Sequence, residues 1–282
     1  MASSLSHRVW LITGCSSGFG QAFAQAVIAH GDQLVATARN TEHIAPLASE
    51  HPGQVRVMAL DVTNAEQTQA TVMAALDAFG HIDVLVNNAG YGLFGAFEEL
   101  SDEQIRQQME VNLFGAMNVT RAVLPSMRTQ RLGHLVQMSS LGGQAGFSGN
   151  AAYAASTFAL EGWSETLSKE LTPFGIRVTI VEPGGFRTEW AGRSMVKAAP
   201  LSVYDEVMAE RRASMEYAHG RQPGDPARAA QALIAVVESE HAPLRLPLGT
   251  DAVTIIRQHV QQQLNDLDRW ESLSRSTDFP RN

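Results

Sequence analysis

The clearest chemical signature lies where the first apolar run ends. Thr13-Gly14-Cys15-Ser16-Ser17-Gly18-Phe19-Gly20 follows a strand-like run and leads into a helix-forming segment. Glycines at 14, 18 and 20 permit a tight turn and let backbone amides approach a pyrophosphate, whose charge the next helix N-terminus stabilises. The spacing is G-x3-G-x-G rather than G-x-G-x-x-G. A bend needing positive φ would also use glycine; the flanking strand and helix favour the phosphate reading. The second apolar run ends Ala36-Thr37-Ala38-Arg39-Asn40, without the carboxylate that would bind adenosine ribose hydroxyls. The planar fork of Arg39 suits a 2′-phosphate instead, which selects NADP(H) over NAD(H); the alternative is a solvated surface arginine. Asp61 closes the third run, where a carboxylate can accept a hydrogen bond from an adenine amine. Asn87-Asn88-Ala89-Gly90 closes the fourth, at the strand end where open sheets bind ligands.

These residues must be positioned by elements that the sequence also outlines. Strands are expected at Arg8–Thr13, Gln33–Ala38, Gln54–Leu60, Ile82–Asn87, Gly133–Met138, Arg177–Val181 and Pro243–Leu246. Several are unbroken Val/Ile-rich runs, as in strands buried on both faces of a parallel sheet. Helices are expected at 18–30, 65–79, 101–128, 151–172 and 225–239, with Asn64 as an N-cap and a Ser101/Gln104 capping box. The alternation predicts an α/β fold: a single-domain, doubly wound parallel sheet with helices on both faces. Residues 189–224 mix Trp190, Met195, Tyr204, Met208, Met215 and Tyr217 with charge, and read as a lid over a site; packing against the body or a neighbouring subunit is the alternative. Apolar residues at 253, 256, 260, 264 and 267 make one stripe of a C-terminal helix within 251–272, followed by a polar tail to residue 282 that is expected to be mobile.

Composition removes several functional classes. With 282 residues, a net charge of −8 and no basic excess, nonspecific nucleic-acid binding is not expected. Cys15 is the sole cysteine, so neither an internal disulfide nor a thiolate zinc cluster can form, and the histidines show no metal-ligand spacing. No apolar run approaches a membrane span and no signal peptide is evident, so a soluble, cytoplasmic protein without metal is expected.

Over roughly residues 8–250 the chain resembles the short-chain dehydrogenase/reductase family. The resemblance rests on TGCSSGFG at 13–20, DVT at 61–63 (Asp61, Val62), NNAG at 87–90, Asn112, Ser140, Tyr153 and PGGFRT at 183–188, in the family's order. It implies one Rossmann domain with a seven-stranded parallel sheet and an oligomer, homodimer or homotetramer. Thr13, Gly14, Ser16, Ser17, Gly18, Phe19 and Gly20 would hold the pyrophosphate. Asn87, Ala89 and Gly90 would line the adenosine side, and Pro183, Gly184 and Thr188 would flank the nicotinamide. Ser140 would hydrogen-bond the substrate oxygen, Tyr153 would exchange its proton, and Asn112 would kink its helix and hold a relay water. Leu141, Phe147 and Trp190 would line the substrate pocket, whose aromatic and methionine content points to an apolar carbonyl or alcohol substrate.

One position breaks the family pattern. Tyr-x-x-x-Lys reads Tyr153-Ala154-Ala155-Ser156-Thr157 here. The family's lysine binds the nicotinamide ribose and lowers the tyrosine pKa; Thr157 is neutral and too short to do either directly, although a bridging water could replace part of the ribose contact. Lys169, three helical turns on, does not substitute. Three readings stay open: an NADP(H)-dependent carbonyl reductase, impaired or specialised by the missing lysine; a nucleotide-binding sensor or structural protein with little turnover; and non-redox chemistry on the same fold.

Overall fold

The computed structural model describes residues 7–279. Seven strands form one parallel sheet: β1 (Val9–Ile12), β2 (Gln33–Ala38), β3 (Val55–Ala59), β4 (Val84–Asn87), β6 (Gly133–Met138), β7 (Ile176–Pro183) and β9 (Arg245–Leu248), in the spatial order β3-β2-β1-β4-β6-β7-β9. All four β1 residues, Val-Trp-Leu-Ile, are buried because helices cover both faces. Their side chains alternate. Trp10 and Ile12 join Phe23 and Val27 of α1 (Gly18–His30) and Leu233 of α8 (Pro226–Glu238). Leu11 joins Val72 of α3 (Ala65–Phe79), Val123 of α5 (Gly115–Gln130) and Leu167 of α6 (Ala151–Leu171). The chain winds outward from β1 to β3, then returns to place β4 beside β1 and winds the other way. The crevice beyond the carboxyl ends of β1 and β4 is therefore the topological switch point.

The two expected caps form. Asn64 accepts from the Gln67 amide at 3.0 Å, and the Ser101 hydroxyl and Gln104 side chain cap α4 (Asp102–Met109) reciprocally. The expected helix 101–128 is interrupted by a π-helical turn at Glu110–Phe114, which carries Asn112. The last strand lies two residues later than expected and contains Pro247. It is an edge strand, where a missing N–H costs no ladder bond, and Pro243 instead accepts from the Thr179 hydroxyl.

Segment 189–224, read above as a lid, carries regular structure of its own. Beyond the short helices α2 (Ala45–Glu50) and α4, the chain forms α7 (Asp205–Ala218) and a second, two-stranded parallel sheet of β5 (Gly92–Phe94) with β8 (Met195–Lys197). That ladder ties the segment to the loop after β4. The C-terminal stripe is a helix, α9 (Thr250–Arg275), but it does not pack on the body: Ala252 is its only buried residue, and Val260, Leu264 and Leu267 are 43–59% exposed. Amphipathic spacing identifies the face that wants cover, not what covers it. The helix also runs past the expected start of the tail, whose last residues, 280–282, lie outside those described. No helix among the described residues is long and apolar enough to cross a membrane.

Candidate active site

A single cavity of about 900 Å³ runs from the glycine-rich turn, past the ends of β4, β6 and β7, to α7. Gly14 adopts φ +74°, and a Cβ there would sit 3.0 Å from the Ala89 backbone. A Cβ on Gly20 would come within 2.2 Å of the Gly14 carbonyl, so the helix can approach the turn only as glycine. Ser17 precedes α1 in extended conformation without capping the helix, and the first turn carries no acidic side chain. The first amides of α1 are thus left for an outside acceptor, as a dinucleotide pyrophosphate requires.

The anticipated cofactor residues divide. Gly14, Ser16, Ser17, Gly18, Phe19, Arg39, Asp61, Val62, Asn87, Ala89, Gly90, Pro183, Gly184 and Thr188 all line the cavity. Thr13 and Gly20 do not. The Thr13 hydroxyl accepts from the Asn88 and Ala89 amides at 2.9 Å each, bolting the β4 loop to β1, and Gly20 is a packing position. The Asn87 side chain turns into the sheet, donating to Thr120 and Gln137. Cys15 is fully buried, donates to the Ile12 carbonyl, and burial pushes its thiol up to about 12, so it is no nucleophile. Arg39 is exposed at the end of β2. The Asp61 carboxyl is held low by the backbone and hydroxyl donors of Thr63, with a smaller contribution from Arg39.

At the other end stand Ser140, Tyr153, Asn112, Thr157, Leu141, Phe147 and Trp190, all on the cavity wall. The Ser140 hydroxyl accepts from the Gly142 amide at 3.0 Å, which fixes it at the start of a 3-10 turn, Leu141–Gly143. Tyr153 lies in the first turn of α6, 8% exposed, with its ring 5.3 Å from that of Trp190. Burial raises its phenol above the ordinary tyrosine value, while hydrogen bonds from the Ser140 and Trp190 side chains pull it down. The Asn112 amide is engaged with the Tyr91 backbone on both sides, accepting at 3.1 Å and donating at 3.0 Å.

Thr157 is buried one helical turn from Tyr153. Its hydroxyl lies 3.0 Å from the Gly142 carbonyl and 3.1 Å from those of Tyr153 and Ala154. One hydroxyl proton serves this set, so Thr157 ties α6 to the Ser140 turn rather than reaching a ligand. Lys169 is exposed and pairs with Glu165, and Arg187 donates to the Gln222 carbonyl, so neither replaces the missing lysine. Sequence reasoning missed Tyr91, Asn150, Arg211 and Gln222 on the cavity wall. None sits in a recognisable motif; only the fold brings them there.

The arrangement can hold a dinucleotide along the switch point and present a hydroxyl and a phenol to the end of it. The family model for short chain dehydrogenase matches residues 8–197. The chain is similar to "Oxidoreductase BOA17" of Botryotinia fuckeliana, 38% identical over 95% of this chain and 98% of that protein. It is similar to human "Retinol dehydrogenase 8", 36% identical over 84% of this chain and 80% of that one. A crystal structure of a short-chain dehydrogenase from Streptomyces avermitilis superposes with a TM-score of 0.91 at 43% identity, covering 97% of this chain and 100% of that one. The switch-point cavity therefore belongs to an NAD(P)-dependent oxidoreductase, and the chain is a member of the short-chain dehydrogenase family.

Proposed function

We propose that the chain is an NADP(H)-dependent reductase of an apolar ketone or aldehyde, with Tyr153 as proton donor. The observation that carries this reading is the pairing of the fixed Ser140 hydroxyl with a buried, protonated Tyr153 phenol on the cavity that begins at the glycine-rich turn. Bound NADPH supplies a hydride to the carbonyl carbon. Ser140 donates to the carbonyl oxygen and holds it polarised, while Tyr153 transfers its proton to that oxygen as negative charge develops there. Asn112 keeps the Tyr91 loop and α6 in register. Gly14, Ser16, Ser17, Gly18 and Phe19 surround the pyrophosphate, Arg39 the 2′-phosphate, and Asp61, Val62, Asn87, Ala89 and Gly90 the adenosine. Pro183, Gly184 and Thr188 flank the nicotinamide. Leu141, Phe147 and Trp190 contact the substrate beneath segment 189–224, which serves as its lid. The exposed position of Arg39 supports the NADP(H) preference, and the aromatic lining supports the apolar substrate. The same reading takes the protein as a cytoplasmic homodimer or homotetramer, which the exposed α9 stripe supports and which light scattering across a concentration series tests.

Without a lysine at position 157 the reductive direction is favoured, because it needs the phenol protonated. The test is NADPH-dependent reduction over a panel of apolar ketones and aldehydes, with the chain and Thr157→Lys side by side. Turnover within about tenfold of the variant supports a working reductase, since general acid catalysis contributes only a few powers of ten. Turnover by the variant alone moves the assignment to the second reading, a nucleotide-binding protein without ordinary redox turnover, which the neutral Thr157 favours.

A further inference from the structure

Arg211 on α7 lines the cavity and is partly buried. Its Nε donates to the Ser148 carbonyl at 3.3 Å and its Nη2 to Asn150 Oδ1 at 3.1 Å, and the guanidinium lies 5.6 Å from the Phe147 ring centroid. All three partners are neutral, and all belong to the loop that enters α6 one turn before Tyr153. They fix the guanidinium from one side. Arginine has five N–H donors, and only two are committed here.

The charge around it is unbalanced. Among the described residues, no carboxylate of the protein lies within ion-pair distance of Arg211. The next residue, Arg212, pairs with both Glu99 and Asp205. The other charged groups on the cavity wall are otherwise disposed: Arg39 faces Asp61 at the adenosine end, Arg193 pairs with Glu189, and Glu103 on α4 pairs with no cation among the described residues. Acids are not scarce, since the chain has 29 Asp and Glu against 21 Lys and Arg. Burying a cation without a counter-charge is costly, and burial indeed lowers the Arg211 pKa. A preorganised, half-satisfied guanidinium at the substrate end of an apolar cavity is a receptor for an anion supplied from outside.

We propose that Arg211 binds a carboxylate at the end of the substrate remote from its reacting carbonyl, so that the preferred substrates are apolar oxo acids. This rests on the reductase reading above and narrows its substrate class. Phe147, Trp190 and Met215 line the same cavity as Tyr153 and Arg211 and offer an aliphatic chain apolar surface. A substrate ending in an ammonium group is disfavoured by the same charge.

The test is calorimetric binding of ω-oxo aliphatic acids, their methyl esters and the matching amines to the protein saturated with NADP+, in which no reduction can occur. The acid should bind roughly 10- to 100-fold more tightly than its ester, the range for hydrogen bonds to a charged group. The amine should bind more weakly than the ester. Arg211→Gln should bring acid and ester within about threefold, and Arg211→Lys should keep part of the preference. Equal binding of acid and ester by the unaltered protein overturns the proposal without needing a variant, as does a preference that survives in Arg211→Gln. Failure of NADP+ itself to bind, seen in the preceding titration, overturns the nucleotide reading instead.

Discussion

Replacing Thr157 with lysine should move the pH dependence of alcohol oxidation, and the structure sets the size of the effect. On the proposed reading oxidation needs the tyrosinate. Burial holds the Tyr153 phenol above the ordinary tyrosine value, so at neutral pH it is protonated. Thr157 lies one turn along the same helix face, where a lysine extending into the cavity would place its ammonium ~5 Å from the phenol oxygen. At an effective dielectric of about 20, Coulomb's law gives roughly 3 kcal/mol, or about two pKa units. Thr157→Lys should therefore lower the midpoint of the oxidation profile by about two pH units and raise the neutral-pH rate about 100-fold. Reduction should change far less, since the phenol is protonated in both proteins. The variant gives up the 3.0 Å bond to Gly142, so its stability should fall by about 1 kcal/mol. The assay is initial-rate NADP+ reduction with an alcohol substrate from weakly acid to strongly alkaline pH, at saturating cofactor. Thr157→Met separates length from charge and should leave the midpoint in place. A midpoint that stays put in Thr157→Lys, or neutral-pH oxidation by the unaltered chain at the variant's rate, would refute the reasoning.

Three further outcomes follow from other parts of the molecule. Behind the Ser140 turn, buried Glu161 and Glu182 share Arg245, at 3.1 and 3.5 Å; burial first and the Glu161 charge second push Glu182 up to about 8. The folded chain then keeps a proton that the unfolded chain releases near pH 4.3, so urea stability should fall by about 1.4 kcal/mol per pH unit between about 5 and 8, and Glu182→Gln should flatten that slope. If Arg39 holds the 2′-phosphate, as proposed, Arg39→Gln should weaken NADP+ binding by roughly 10- to 100-fold and leave NAD+ unchanged in a fluorescence titration. Gly20→Ala forces a methyl against the Gly14 carbonyl and Asn88 Nδ2, and should cost about 1–3 kcal/mol in thermal melts together with cofactor affinity.

The parallel sheet was legible because both of its faces are covered, so its strands are short unbroken apolar runs between helix-length segments. Legibility failed where a local rule met a special position. Pro247 lies inside the last strand, beyond the expected end at Leu246, because a free edge accepts a proline. The β5–β8 ladder rests on two three-residue strands more than a hundred positions apart, which no periodicity can show. Thr13 and Gly20 belong to the nucleotide turn in sequence but act on its backbone neighbours, a distinction that only contact geometry makes. Arg211 was invisible for a deeper reason. An arginine on an amphipathic helix reads as solvated surface, and its significance is the missing acid, a property of the folded neighbourhood rather than of any spacing.

Thr157 shows how one residue can trade charge for position. Its hydroxyl joins α6, which carries Tyr153, to the Gly142 carbonyl of the turn that begins with Ser140. A lysine in the same place would supply charge but would give up that link. The two directions of a carbonyl–alcohol interconversion weigh these differently. Reduction needs the phenol protonated and the two hydroxyls held at the right separation from one oxygen atom, which a rigid link between their elements serves. Oxidation needs the phenolate, which only a nearby cation makes accessible at neutral pH. A burial-raised Tyr153 locked to Ser140 by an uncharged neighbour meets the first requirement and fails the second, so on the proposed reading the site is selective for direction as well as for substrate.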